Sequence, residues 1–317
     1  MFYPLGLQIN PRDIEVLRGL FESRVMLQKH ATELYFEGRV EAAKKRLQKL
    51  KGAGVVAQLP RRQYEKGVLF LTRQGFLVLS QEADISHYPK LDWTALEKRL
   101  QVSDLSLNHE LAVVDVKTAF HRAARQLANY ELVEFSTWPR LFAFPTTRRD
   151  PRTGRAGTLV KADAFLRIKD SNGGIFHFFL EVDRSNEVQK LLAHKALCYR
   201  DYYQSGGFAL RLGNPADAYR LCPFRVLMIF LNAERRNNAA ERLLQQSPPI
   251  LKIVWLSTLT EVIANPFGAI WMRPADYQAA TLGTSFNPQN QQSAIYRRQM
   301  EREELIDKSV QKLALLD

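Results

Sequence analysis

Short apolar segments that alternate with helical segments constrain the fold of this chain most strongly. IFHFFLEVD (175–183), FRVLMIFL (224–231) and ILKIVWLS (250–257) are eight or nine residues long and mostly apolar, as expected of buried strands. The segments between them, 187–204 and 233–246, have the apolar spacing of helices. Strands and helices that alternate in this way favour an α/β layer around a mixed sheet.

The residues before these segments extend the same pattern. A long amphipathic helix is predicted over 108–129, a strand over 131–138 and a second strand, TLVKADAFLRI, over 158–168. The turn NGG (172–174) joins that second strand to IFHFFLEVD in a β-hairpin. We therefore predict one domain over 108–275 with the element order α-β-β-β-α-β-α-β.

The N-terminal part of the chain has a different organisation. Its predicted elements are three short helices over 12–23, 27–36 and 40–54, and two strand segments over 55–59 and 68–72 that flank the turn PRRQYEKG. Three helices followed by a hairpin with a basic tip are typical of a winged helix–turn–helix, whose third helix enters a DNA groove. We predict this domain over 1–80, followed by a linker over 81–107, and a C-terminal loop and helix over 276–317.

Positive charge is concentrated in this N-terminal part. The chain has a net charge of +12, and residues 38–73 hold ten Lys and Arg against two acidic residues. Such an excess favours a polyanionic partner, and we expect double-stranded DNA, held mainly through its phosphates. The expected contacts lie on the third helix, on the wing and in the basic loop 146–157: Lys44, Lys45, Arg46, Lys49, Arg61, Arg62, Lys66, Arg148 and Arg149. The structural alternative is a small helical domain whose charges are merely solvated.

Several other classes of protein are excluded or disfavoured. No segment is apolar enough over twenty residues to cross a bilayer, and the N-terminus has no signal-peptide pattern. The two cysteines, Cys198 and Cys222, lack zinc-site spacing, so reduced thiols and a cytoplasmic location are expected. Neither a Walker-type phosphate loop nor a GxSxG motif is present, which argues against a P-loop ATPase and that class of serine hydrolase.

The strand predicted over 175–183 ends in acidic residues, which do not stabilise an apolar strand. Glu181 and Asp183 flank Val182, and Asp163 on the preceding strand would neighbour Glu181 in the hairpin. Two carboxylates a few ångströms apart raise each other's pKa unless a cation compensates them. Asp163 and Glu181 are therefore a candidate metal site. The alternative is that both are polar strand residues whose hydrogen bonds are satisfied within the protein and that bind no metal.

The helix that follows carries a lysine and a tyrosine on one face. Lys195 and Tyr199 are separated by one helical turn, so Lys195 can lean back over the end of the strand. A lysine at that place can orient a water molecule or stabilise charge on a phosphate oxygen. These residues together are the parts of a metal-dependent phosphodiesterase. Two of these residues also have a purely structural interpretation. Asp183 can be a charge at the start of the helix, and Tyr199 can be an aromatic residue of the core.

These residues resemble those of the PD-(D/E)xK nuclease superfamily. The layout of a winged helix followed by LNHELAVVDV, KADAFLRI and FFLEVDRSNE…KALCYRDYY is similar to that of the replication–relaxation family, which is related to the plasmid relaxases of the C mobilization class. The resemblance implies a restriction-endonuclease-like αβββαβ domain with a mixed sheet. It covers about residues 10–260, and its most specific part is 159–203.

The resemblance also implies roles for individual residues. Asp163 matches the first acid of the superfamily and Glu181 the second, while Lys195 would be its lysine in a migrated position. His109 matches a histidine that joins the metal in some branches. The implied ligands of Mg²⁺ or Mn²⁺ are Asp163, Glu181, the carbonyl of Val182 and His109, and the implied catalytic residues are Asp163, Glu181, Lys195, Asp183 and Tyr199. Asp183 stands where the superfamily usually has its lysine, so it is either a further ligand or a sign of an inactive copy.

We therefore expect a site-specific, metal-dependent DNA-nicking endonuclease, similar to a relaxase, that acts on an origin-type duplex site in plasmid or mobile-element mobilization or replication. Other mobilization or replication proteins are possible partners. The first alternative is a DNA-binding initiator or regulator that keeps a nuclease-like scaffold without catalysis. The second alternative is a module that binds RNA or protein through its basic face.

Overall fold

The computed structural model describes residues 7–60, 67–83, 85, 88, 93–100, 103–137, 142–184, 189–283, 310 and 312–316. The chain divides into two compact units: Met1–Gln126 with Phe135–Leu141, and Leu127–Glu134 with Phe142–Asp317. Within the described residues, no helix has both the length and the apolar character needed to cross a membrane.

The first unit contains six helices and three strands among its described residues. They are α1 (Pro11–Ser23), β1 (Val25–Leu27), α2 (Gln28–Tyr35), α3 (Val40–Gly52), β2 (Val56–Gln58), β3 (Val68–Leu71), α4 (Arg73–Glu82), α5 (Trp93–Leu100) and α6 (Asp104–Ala124). α5 lies within the stretch that we predicted as a linker, and α6, predicted at the beginning of the second domain, belongs to this unit.

The order of elements from α1 to β3 is that of a winged helix–turn–helix. β3 lies between β1 and β2 in an antiparallel three-stranded sheet, and α2 and α3 lie between the first two strands in the chain. Leu17, Leu20, Leu47 and Leu50, the inward residues of α1 and α3, are buried in one core. The sequence pattern missed β1 because three buried residues are too few to show an alternation.

The described part of the second unit contains a mixed five-stranded sheet, a two-stranded sheet, five α-helices and one 3₁₀ helix. Its elements are β4 (Tyr130–Ser136, of which the last two residues are grouped with the first unit), β5 (Ala143–Pro145), β6 (Leu159–Lys161), β7 (Ala164–Asp170), β8 (Ile175–Asp183), α7 (Gln189–Gln204), α8 (Gly207–Arg211), a 3₁₀ helix (Ala216–Leu221), β9 (Arg225–Phe230), α9 (Ala233–Leu244), β10 (Val254–Thr258), α10 (Leu259–Ala264) and α11 (Pro274–Gly283). The strand at 224–231 and the helices at 187–204 and 233–246 thus lie within one or two residues of their predicted bounds where the structure describes them.

The main sheet has the strand order β10-β9-β8-β7-β4. β7 and β8 form the predicted antiparallel hairpin, whereas β8, β9 and β10 run parallel to one another. The predicted α/β fold with a mixed sheet is therefore confirmed.

One predicted strand is interrupted. The segment 158–168 forms β6, which pairs with β5 in a separate two-stranded sheet, and then β7, which pairs with β8. Ala162 and Asp163 lie at the break between the two sheets. Asp163 is therefore not in the middle of a strand, as the alternating pattern suggested, but at the point where the chain passes from one sheet to the next.

An aromatic core fixes α7 against the sheet. The ring of Phe179 on β8 packs against the rings of Phe142, Tyr199 and Phe224, with centroids 4.6 to 5.1 Å apart. Alternate residues of a strand face the same side, so Glu181 and Asp183 point to the α7 side with Phe179. This packing positions the two carboxylates that end β8.

Candidate active site

Glu181 is a buried carboxylate held by two side chains of α7. Its side chain is only 7% exposed. Tyr199 donates its hydroxyl hydrogen to Oε1 at 2.6 Å, and Lys195 donates from Nζ to Oε2 at 3.1 Å. Because Lys195 and Tyr199 lie one helical turn apart, one face of α7 satisfies both oxygens, as the sequence spacing suggested.

Asp163 reaches the same strand end from the break before β7. Its Oδ2 accepts the main-chain N–H of Val182 at 2.8 Å, and its own N–H donates to the carbonyl of Leu180 at 3.0 Å. These two bonds place the Asp163 carboxylate beside the main chain that flanks Glu181. The structure therefore brings Asp163, Glu181, Lys195 and Tyr199 together in one unit.

The electrostatics of the site make Glu181 unusual. Burial raises the pKa of its carboxyl from 4.5 to about 7; the Lys195 ammonium works against that rise, and the nearby Asp163 charge adds to it. The hydrogen bonds from Tyr199 and Lys195 also lower this pKa, but burial prevails. Burial and the Glu181 charge raise the pKa of the Tyr199 hydroxyl well above its usual value, so Tyr199 remains a neutral donor.

Asp183, the next residue on the same face of β8, has a different partner. Arg235 donates from Nε and Nη2 to its Oδ2, at 3.1 and 2.7 Å. The Asp183 side chain is 7% exposed and that of Arg235 27%. Arg235 was not among the residues predicted from the sequence, although one signal pointed to it: ERRNN opens the helix after β9, and parallel strands end at the same edge of a sheet.

The oxygen donors at the end of β8 suit a hard divalent cation, although they are too few to fill its whole coordination shell. Among the described residues, no group of three or more His, Cys, Asp and Glu side chains is arranged to hold a metal ion. Asp163, Glu181 and the carbonyl of Val182 supply oxygen donors alone. Mg²⁺ is commonly bound by one or two carboxylates and keeps several waters, so the buried Glu181 carboxylate and the half-buried Asp163 carboxylate, which repel each other, fit it. His109 lies on α6, in the first unit, and its place in the metal shell stays a prediction.

The predicted DNA contacts fall into distinct groups. Lys44, Lys45 and Lys49 are exposed on α3, and we refer to them as the α3 lysines. Arg46 instead turns inward: its Nε donates to Asp13 at 2.7 Å and its Nη2 to the carbonyl of Gln8 at 2.7 Å. Those contacts tie the guanidinium to α1 and to the main chain that precedes it, and they make Arg46 the least available of the predicted contacts on α3.

The remaining predicted contacts lie on the wing and in the basic loop. Arg148 forms an ion pair with Asp201 of α7 through Nε at 2.5 Å and Nη2 at 3.1 Å, while Arg149 is exposed. Arg61, Arg62 and Lys66 lie outside the described residues. Their part in DNA binding stays a prediction.

Comparison with known proteins gives one match. The replication-relaxation family matches residues 17–214, which is more than half of the chain and includes every residue of the candidate site from Asp163 to Tyr199. No curated protein and no solved structure gives a match. The matched region ends before β9 and α9, so Arg235 lies beyond it. The resemblance noted in the sequence is confirmed.

Proposed function

Since the chain belongs to the replication-relaxation family, we propose that it is a metal-dependent, site-specific DNA-nicking endonuclease, similar to a relaxase. Membership in the family gives it a role in replication or mobilization and implies interaction with DNA. Family membership does not extend to the reaction itself. We propose in addition that the protein hydrolyses a phosphodiester, that it uses a metal ion, and that the residues named below act on DNA.

One observation carries the proposal. Glu181 is buried at the carboxyl end of β8, bound to Lys195 and Tyr199, and its pKa is raised in part by the charge of Asp163. Stability alone does not favour two interacting carboxylates and a lysine at the edge of an apolar sheet, because each charge loses hydration there. Perturbed titratable groups of this kind cluster at functional sites.

The residues of the site divide the work of hydrolysis. Asp163, Glu181 and the Val182 carbonyl would hold Mg²⁺ or Mn²⁺, which when bound polarises a phosphoryl oxygen and lowers the pKa of a water molecule. Lys195 is 29% exposed while it contacts Glu181, so its ammonium can also donate to a phosphate oxygen as charge grows there. Tyr199 fixes the orientation of the Glu181 carboxyl from the core side.

The first unit would hold the duplex. A winged helix presents its third helix to DNA, and the α3 lysines provide sequence-independent attraction to phosphate. The exposed Arg149 of the basic loop adds a positive charge in the second unit. We place the DNA target at an origin-type site because the family acts in replication or mobilization.

The test is nicking of supercoiled plasmid that carries the DNA flanking the protein's own coding sequence. We expect wild type to convert it to open circles with Mg²⁺ or Mn²⁺ and to lose this activity in EDTA. Asp163→Asn, Glu181→Gln and Lys195→Ala should each lower the rate by about a hundredfold or more. Two control substitutions remove exposed charges of the same unit, Lys190→Ala on α7 and Glu131→Gln on β4, and should leave the rate unchanged.

A second function has support of its own. Asp183 pairs with Arg235 at the position where the superfamily usually has its lysine, and no three-residue metal group occurs among the described residues. These facts favour a DNA-binding initiator or regulator with a nuclease-like scaffold. Tight binding of the plasmid without nicking by either metal would establish this reading in place of the first.

A further inference from the structure

Two pairs of opposite charges lie side by side at the end of β8. Lys195 of α7 contacts Glu181, and Arg235 of α9 contacts Asp183. Glu181 and Asp183 are two residues apart on one strand face, so their Cα atoms are separated by about 7 Å. In both pairs the carboxylate is 7% exposed, while the cations are 29% and 27% exposed. Each carboxylate is therefore buried beneath a cation that reaches the surface.

The chain holds Arg235 firmly in this place. β9 ends at Phe230, which pairs with Asp183 in the parallel ladder, and Asn232 then caps α9 by accepting the N–H of Arg235 at 3.0 Å. The main chain of Arg235 is thus fixed in the first helical turn, and its side chain turns back to β8. A cation in the first turn faces the positive end of the helix dipole, which helix stability alone does not favour.

The charges of the site depend on this arginine. With the Glu181 carboxyl ionised, the carboxylates of Asp163, Glu181 and Asp183 carry three negative charges against the two positive charges of Lys195 and Arg235, so these five side chains sum to one negative charge. A divalent cation would make the sum +1, which complements a phosphodiester. Without Arg235 the same sum would be zero, so Arg235 supplies the excess positive charge of this group.

We infer that Arg235, positioned by Asp183, binds a backbone phosphate of the DNA beside Glu181 and Lys195. A guanidinium offers a planar set of donors that matches a phosphate, and a carboxylate along one edge fixes its orientation. On this view Asp183 is a positioning residue that replaces the usual lysine, and not a metal ligand. The inference rests on the proposed function for its place in catalysis, but the phosphate contact can be measured without catalysis.

The experiment measures affinity of the full chain for a fluorescein-labelled DNA duplex at several KCl concentrations, and nicking of the plasmid in parallel. For Arg235→Ala we expect the slope of log affinity against log salt to fall by about 0.9, the value for one phosphate contact. Arg235→Lys should restore that slope because the charge remains. Arg242→Ala removes a positive charge from the same helix seven residues later and is the control. Its slope should stay closer to that of the wild type than the slope of Arg235→Ala does.

Asp183→Asn separates positioning from charge. This variant keeps the Arg235 charge, so the salt slope should be retained, while the nicking rate falls about tenfold or more because the guanidinium is no longer oriented. If Arg235→Ala does not fold, Arg235→Gln supplies the same measurement with a side chain of similar length.

The outcomes distinguish the inference from the proposed function. A reduced slope in Arg235→Ala, with a wild type that never nicks, supports the phosphate contact and rejects the nuclease. A wild type that nicks, with slope and rate in Arg235→Ala equal to those of Arg242→Ala, overturns the inference and keeps the nuclease. A loss of thermal stability in Arg235→Gln with an unchanged slope makes the ion pair purely structural and also overturns it.

Discussion

Replacement of Glu181 with glutamine tests whether burial governs the carboxyl at the end of β8. In the metal-free protein the pKa of Glu181 is about 7, raised first by burial and further by Asp163, against the opposing effects of Lys195 and Tyr199. Glutamine keeps the size of the side chain and an oxygen that can accept from Tyr199, but it removes the titrating group. The variant therefore isolates the pH dependence of one residue.

The sign and size of the effect follow from proton linkage. Below about pH 4.5 the carboxyl is protonated in both the folded and the unfolded state, so it has no effect on stability. Between 4.5 and about 7 the folded state keeps a proton that the unfolded state has lost, and the free energy of unfolding falls as pH rises. At about 1.4 kcal/mol per pH unit, the loss reaches about 3 kcal/mol above pH 7.

The assay is urea unfolding in EDTA at a series of pH values from about 4.5 to 8. Tryptophan fluorescence is a suitable signal because Trp255 and Trp271 are buried in the second unit. The difference in free energy of unfolding, Glu181→Gln minus wild type, should rise by about 3 kcal/mol across this range. Glu131→Gln, which removes an exposed carboxyl, is the matched control.

Two results would refute the reasoning. A difference that stays constant from pH 4.5 to 8 means that burial does not raise the pKa of Glu181. A difference that falls as pH rises means that Lys195 and Tyr199 stabilise the charged carboxylate more than burial disfavours it. In either case the electrostatics of Glu181 would no longer favour a further cation at this site.

Three further predictions concern the first unit. Arg46→Ala should lower the free energy of unfolding by about 3 kcal/mol, since it leaves the fully buried carboxylate of Asp13 without its guanidinium. Urea unfolding measures this loss, and Lys45→Ala, which removes an exposed charge of the same helix, is the control. Equal stabilities of the two variants would contradict the prediction. Gly75→Ala should lower the free energy of unfolding by about 3 kcal/mol or more in the same assay, because its Cβ would lie 2.1 Å from a main-chain oxygen. Gly52→Ala is the control and should be tolerated, because its Cβ would meet nothing within 4 Å. Replacement of the three α3 lysines by glutamine should reduce the salt slope of DNA binding by up to about 3, and an unchanged slope would remove α3 from the interface.

The periodicity of the sequence was enough to predict most helices and the main strands. Leu17, Leu20, Leu47 and Leu50 recur at helical spacing and are buried, because a helix must turn one stripe of side chains to the core. The same local rule placed Lys195 and Tyr199 on one face of α7. Elements of three residues, such as β1, are too short for any such rule, since their strand state depends on a partner elsewhere in the chain.

The candidate site divides in the same way. The sequence alone determined that carboxylates end a buried strand and that a lysine and a tyrosine follow on one helical face, because alternation and the helical turn are local properties. Only the tertiary structure decided that Asp163 lies at a break between two sheets, that Arg46 pairs with Asp13, and that Arg235 pairs with Asp183. The last of these contacts joins residues 52 positions apart. Such pairs depend on strand order and helix packing, which sequence periodicity does not encode.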